Sequence, residues 1–242
     1  MPYFAHNGIT LHYVDVDKRP DKTEGISLLF IHGGGGSHLV WSNQLDEFSY
    51  KHRTIAIDLS GHGKSDTVNG DVTIEQQFVG EVSALVRHLK LENFVLIGHS
   101  MGGGVAMSYV LKNNCVKPRA LVLVDTSSDL AILKVAQGLM KEALESHKST
   151  DLANVTLLMR DLIVSNKFNI TDRLGEIDVP TFVIVGEDDD VVPPHVAKAL
   201  CDAIPRSDIA VVRGADHVPM CEQPEEFNRL LRKFLDWVIR GT

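Results

Sequence analysis

"FVLIGHSMGGGVAMSYVL", residues 94–111, changes its period halfway along. Phe94 to Ile97 form a continuous apolar run of the length of a buried strand. Val105 and Met107 to Leu111, with their neighbours, recur as they would on a helix. Between the two halves Ser100 sits in Gly98-His99-Ser100-Met101-Gly102, with Gly103 and Gly104 behind it. A serine between glycines at a strand-to-helix corner matches the G-x-S-x-G pattern of a nucleophile elbow. A turn that sharp strains the serine and crowds the backbone around it, so its neighbours must be small. It also seats the serine at a helix N-terminus, where free N–H groups favour developing negative charge. The competing reading is a simple serine N-cap before a glycine-softened turn.

The rest of the chain supplies the frame for such a corner. "YFAH" and "ITLHYVDV" flank Asn7-Gly8, a dipeptide that favours a tight hairpin turn. "SLLFIHGGGG" runs from an apolar strand into four glycines. "TIAIDL", "NFVLIG", "ALVLVD", "PTFVIVG" and "DIAVVRG" then read as further short strands. Amphipathic stretches separate them, among them "TIEQQFVGEVSALVRHLK", with Thr73 as N-cap, and a closing helix from about Pro224 to Ile239. Strands alternating with helices predict a parallel sheet covered on both faces. One stretch breaks the alternation. Residues 127–173 are helical in pattern, with Ile132, Ala136, Leu139, Met140 and Ala143 on one face. Inserted between two strands, they are expected to form a cap over the carboxyl edge of the sheet, the edge that binds ligands in such folds.

Composition narrows the function classes. The 242 residues are 44% hydrophobic and 23% charged, with a formal charge of −8. That balance suits a soluble globular chain and argues against a nucleic-acid or anionic-membrane partner. No apolar stretch reaches the roughly 18–20 residues of a membrane span. The N-terminus lacks the basic and apolar segments of a signal peptide, so a cytoplasmic location is expected. Cys115, Cys201 and Cys221 are odd in number and widely spaced, which fits neither a disulfide framework nor a zinc site. They read as buried small hydrophobes.

A serine hydroxyl needs a base, and the base needs a carboxylate to orient it. Of eleven histidines, His217 in "VVRGADHVP" lies in a loop straight after a strand, at the edge where Ser100 stands. His195 is the rival, but it opens a helix. The acid is sought in "VGEDDDVVP", which offers Glu187, Asp188, Asp189 and Asp190 and preserves the order Ser, Asp, His. Asp125, at the end of "ALVLVD", is the alternative. Donors for an oxyanion are expected from the Gly34 and Met101 N–H groups. The glycine run is followed by no Gly-Lys-Ser/Thr, so it is not a phosphate-binding P-loop. "DLSGHGKS", residues 58–65, reads as a structural turn bracing the site.

Taken together, "HGGGG", "DLSGHGKS", "GHSMGG", "VPTFVIVGEDDDVVP" and "GADHVPMCEQPEEFNRLLRKFL" resemble the α/β-hydrolase fold superfamily, in its order and spacing, over essentially the whole chain. The resemblance implies an α/β fold with a mostly parallel sheet of about eight strands and helices on both faces. Residues 1–126 and 174–242 would form the core and 127–173 a small helical cap. It places the acid three residues after Gly186 and four before Pro193, which is Asp189. It maps the nucleophile to Ser100, the base to His217 and the oxyanion donors to Gly34 and Met101. Serine at the elbow argues against the haloalkane dehalogenase and epoxide hydrolase branches.

The implied activity is a carboxylesterase acting on small or medium acyl groups through an acyl-enzyme, with a small-molecule ester and water as partners and the oligomeric state left open. No metal and no organic cofactor are expected. A lactonase, a carbon–carbon bond hydrolase or a lyase of the same fold are alternatives, although Val218 stands where many carbon–carbon hydrolases carry an aromatic residue. A receptor that binds a small ligand without turning it over is the alternative from another class. Trp41, Met140, Leu144 and Leu158 are the candidate pocket walls.

Overall fold

The computed structural model describes residues 2–22, 25–68, 73–130, 164 and 167–241. Its centre is an eight-stranded sheet in the order β1-β2-β4-β3-β5-β6-β7-β8. The strands are β1 (Tyr3–His6), β2 (Ile9–Val16), β3 (Ser27–Ile31), β4 (Arg53–Ile57), β5 (Phe94–His99), β6 (Ala120–Val124), β7 (Thr181–Gly186) and β8 (Ser207–Val212). The pairs β1–β2 and β2–β4 are antiparallel, and every other neighbouring pair is parallel. The opening hairpin turns at Asn7 and Gly8, whose φ angles of 49° and 81° are the two positive values that this tight turn requires.

Burial explains why the middle strands carry no alternation. β5 and β6 are buried at every position, because helices cover both faces. One face packs residues such as Leu29, Leu96 and Leu123 against α2 (Val79–His88) and α3 (Met101–Leu111). The other packs Phe30, Ile97 and Val122 against α1 (Ser42–Phe48) and α6 (Pro224–Arg240). Two further helices, α4 (Pro194–Ala203) and the short α5 (Pro219–Glu222), flank β8 in the chain. Helix α2 is entered through one π-helical turn, Ile74–Phe78, at which the Thr73 hydroxyl accepts the Gln76 N–H at 3.1 Å. This is the expected cap.

The stretch between β6 and β7 lies largely outside the described residues, so its helical pattern does too. Its two ends are tied together. Asp129 bridges to Asn169, the Leu130 N–H donates to the Phe168 carbonyl, and the Ile170 N–H donates to that of Ser128. Leu130 and Phe168 then close over the first turn of α3 at Gly104. The cysteines differ from expectation. Cys201 is buried, but Cys115 is half-buried and Cys221 is exposed. Cys221 lies on the outward side of α5, where its thiol donates to the Val40 carbonyl.

Candidate active site

Ser100 stands at the junction of β5 and α3 with φ 50° and ψ −120°. A residue with a Cβ adopts such a conformation only where its surroundings impose it. Here its N–H donates to the Val124 carbonyl at 2.9 Å. Its carbonyl accepts the Gly103 N–H at 2.8 Å and the Thr126 hydroxyl at 2.7 Å. The glycines make room for the turn. A Cβ on Gly98 would lie 2.2 Å from the Gly102 carbonyl oxygen, and one on Gly102 would lie 2.4 Å from that of His32. Both are far inside van der Waals contact, so the G-x-S-x-G spacing is a packing requirement before it is a chemical one.

Two loops at the carboxyl edge of the sheet complete the arrangement. His217, in the loop after β8, places Nε2 3.1 Å from the Ser100 hydroxyl and Nδ1 2.9 Å from Asp189 Oδ2. Asp189, in the loop after β7, is buried, and its Oδ1 accepts the Val191 and Val192 N–H groups at 2.7 and 2.8 Å. With Asp189 ionised, His217 carries its proton on Nδ1, which leaves the Nε2 lone pair to take the serine proton. Burial by itself would raise the Asp189 carboxyl. The hydrogen bond and charge of His217, with the backbone donor at Val192, outweigh it and hold the group below its ordinary value. Ser100 and His217 both keep partial exposure at this edge. The three side chains form the relay of a serine hydrolase.

His99, the residue before the nucleophile, supports the site. Its Nε2 lies 2.7 Å from the His217 carbonyl oxygen, so it donates there and pins the loop that carries the base. Burial, and then the neighbouring His217, drive its pKa down to about 3, leaving the ring neutral. A side chain that stays unprotonated in the fold resists acid only at the fold's expense. Above the unfolded-state value of about 6.5 its contribution to stability is complete. As the pH falls from there toward 3 the unfolded chain binds the proton first, and stability drops by about 1.4 kcal/mol per pH unit. Urea unfolding at about pH 7.5 and about pH 5 should therefore show a larger acid loss in the wild type than in His99→Gln. Equal losses in the two proteins would show that the ring is protonated in the fold.

Asp58 opens the turn over residues 58–65 and ties it to the scaffold of the site. Its buried carboxylate accepts the His38 N–H and the His38 Nδ1–H on Oδ1, and the His12 Nδ1–H and the Lys64 N–H on Oδ2. Those donors come from β2 and from the loops after β3 and β4. Burial works to raise this carboxyl, but the donors from His38 and Lys64 prevail and it stays below its ordinary value. Burial likewise lowers the pKa of His12. His32 extends the bracing. Its Nδ1 donates to the Gly33 carbonyl and its Nε2 accepts the Leu59 N–H. The glycine loop is thus fixed from behind, with Gly33 so close to the nucleophile that a Cβ there would lie 3.1 Å from that of Ser100.

Among the described residues, two groups bring three potential metal-ligating atoms within 4.8 Å of one another: His12, His38 and Asp58, and Asp125, Asp189 and His217. In each, the histidine–carboxylate separations of 2.8–3.0 Å are those of hydrogen bonds.

The remaining sequence candidates fall in four groups. Met101 is the first residue of α3, where helix N–H groups lack intrahelical partners, and Gly34 lies in the braced loop beside Gly33. Trp41 is not at the cleft. It is fully buried, 5.0 Å from the Phe30 ring and 6.3 Å from that of Phe227, because the turn His38–Trp41 folds the indole inward under α6. Met140, Leu144 and Leu158 lie outside the described residues. His195, the rival base, is the exposed second residue of α4. Among the described residues, no helix is long and apolar enough to cross a membrane.

Comparison with known proteins agrees with this geometry. Residues 28–230 match the model of the alpha/beta hydrolase family. A putative 2-succinyl-6-hydroxy-2,4-cyclohexadiene-1-carboxylate synthase from Bacillus subtilis is 29% identical, over 93% of this chain and 95% of that protein. A proline iminopeptidase from Lactobacillus crispatus is 24% identical, over 98% and 97%. Among solved structures, a thermophilic esterase from Thermogutta terrifontis superposes with a TM-score of 0.78 at 26% identity, covering 98% of this chain and 97% of that one.

Proposed function

The chain belongs to the alpha/beta hydrolase family, and from that premise we propose that it cleaves carboxylic esters of small or medium acyl groups through an acyl-enzyme on Ser100. The observation that carries this reading is the unbroken line from Ser100 Oγ through His217 to Asp189, at 3.1 and 2.9 Å. In the proposed cycle Ser100 Oγ attacks the ester carbonyl carbon while His217 Nε2 takes its proton. Asp189 holds the imidazole tautomer and stabilises the imidazolium that forms. The Gly34 and Met101 N–H groups receive the oxyanion, aided by the N-terminal end of α3. His217 then protonates the departing alcohol, and water activated by the same nitrogen releases the acid. The insertion 127–173, which springs from the carboxyl end of β6 beside Ser100, is assigned as the cap that closes over the ester. Met140, Leu144 and Leu158 are assigned as its pocket-facing residues.

A second reading is favoured by the 29% identity to a putative synthase of a hydroxylated ring carboxylate. In it, Ser100 and His217 would relay a proton and no acyl-enzyme would form. The deciding experiment presents p-nitrophenyl acetate, butyrate and octanoate, a set of lactones and a proline anilide to wild type and Ser100→Ala. Esterase activity predicts fast turnover of the shorter esters, a burst of nitrophenol and an acyl adduct on Ser100 by mass spectrometry. Turnover of lactones alone, or a folded protein that forms no adduct, overturns the ester assignment.

A further inference from the structure

Asp125 lies at the end of β6, one strand away from the loop that carries Asp189, and the reaction cycle above gives it no part. It is wholly buried and held at a strained φ of 44°. Its N–H donates to the Ile184 carbonyl at 3.0 Å, and its Oδ1 accepts the Gly186 N–H at 2.8 Å. Its other oxygen, Oδ2, is buried and meets no donor among the described residues. That carboxyl lies within 4.8 Å of the Asp189 carboxylate and of a ring nitrogen of His217.

Two carboxylates cannot both stay ionised in so dry and close a space at modest cost. The donors decide which one keeps the proton. Among the described residues, Asp189 receives three N–H groups, from Val191, Val192 and His217, whereas Asp125 receives one, from Gly186. The other titratable groups nearby reinforce the choice. Glu222 on α5 adds negative charge, and the His99 ring is neutral. Burial, then the charge of Asp189, push the Asp125 carboxyl well above its ordinary value. A protonated Asp125 turns its unpartnered oxygen into a donor, and Asp189 Oδ2 has a lone pair to spare beside the His217 bond.

We propose that Asp125 is a positioning residue for the relay, which in its neutral form donates a hydrogen bond to the Asp189 carboxylate and so sets the orientation and basicity of the group that holds His217. This rests on the assignment of Ser100, His217 and Asp189 as the reacting relay. The bond drains charge from Asp189, which keeps the carboxylate from over-stabilising the imidazolium. It also restrains the Asp189 side chain at Oδ2, the oxygen that Val191 and Val192 do not hold.

The test uses two variants, each checked for folding by thermal unfolding. Asparagine tolerates positive φ and replaces the neutral acid by a neutral amide. Its oxygen can still accept from Gly186 and its nitrogen can still donate to Asp189. Asp125→Asn is therefore expected to keep kcat/KM within about threefold of wild type, with the acid limb of its pH profile unmoved. Asp125→Ala loses the donor, leaving Asp189 more basic. Its acid limb should move to higher pH by about half a unit to one unit, and kcat should fall by about 10–100-fold. A downward shift of the acid limb in Asp125→Asn would mean that a negative charge had been removed, and would overturn the proposal. So would a wild-type profile in Asp125→Ala. Infrared difference spectra give a readout independent of turnover: a protonated-carboxyl stretch at neutral pH in the wild type, lost in Asp125→Asn. If that band is present and responds so but esters are not turned over, the hydrogen bond stands and the esterase reading fails. If esters are turned over and the band is absent, the proposal alone fails.

Discussion

Ser100→Ala is expected to lower kcat for p-nitrophenyl butyrate by about 10⁴–10⁶-fold, with KM little changed. The substitution removes the oxygen that the proposed cycle acylates, while the proposed Gly34 and Met101 donors are left in place. His217→Ala should cost about as much, because without Nε2 the hydroxyl 3.1 Å away keeps its proton. The double variant should lose little more than either single one, since the members of a relay act as a unit. Single-turnover kinetics on the three proteins measure this. Losses that multiply would mean that serine and histidine serve separate steps, and the covalent cycle would have to be abandoned.

The second large effect concerns the choice of acid. Asp189→Asn keeps the size of the side chain but offers an amide that can satisfy the wrong imidazole tautomer, and a loss of about 10⁴-fold in kcat is expected. Asp188→Asn is the control. Asp188 is exposed, and its backbone N–H, which the substitution preserves, donates to the Ala215 carbonyl. Its activity should stay within about twofold of wild type, because exposed side chains without buried partners contribute little. Steady-state assays of the pair suffice, and a reversed ranking would move the acid to position 188.

Which parts of the molecule could be read from the chain, and which could not, follows from the range of the interactions involved. The strand, corner and helix around Ser100 are local. An apolar run, a pair of glycines and a change of period lie within eighteen consecutive residues, and the hairpin at Asn7-Gly8 is as compact. The alternation of strands and helices is also local, so the parallel sheet was accessible. The order β2-β4-β3-β5 was not, because it depends on which strand edges find each other across the fold. The same holds for single side chains. Trp41 has the composition of a pocket wall and is core only because Phe30 and Phe227 close on it from distant segments. His99 and Asp58 act through partners 118, 46 and 20 positions away, and no spacing rule encodes such pairs. Adjacency to the elbow, and an aspartate ending a strand, were the only local hints.

The carboxylate of Asp58 has a consequence for how variation in this chain would be interpreted. One acidic side chain gathers strand β2 and two loops, one of which runs from the glycine segment beside the nucleophile. A saturation map scored only on product formed would rank position 58 alongside the reacting groups, although its bonds are all to scaffold. Scoring the same library for soluble yield separates the two kinds of site: losses at 100 leave the quantity of protein intact, and losses at 58 do not.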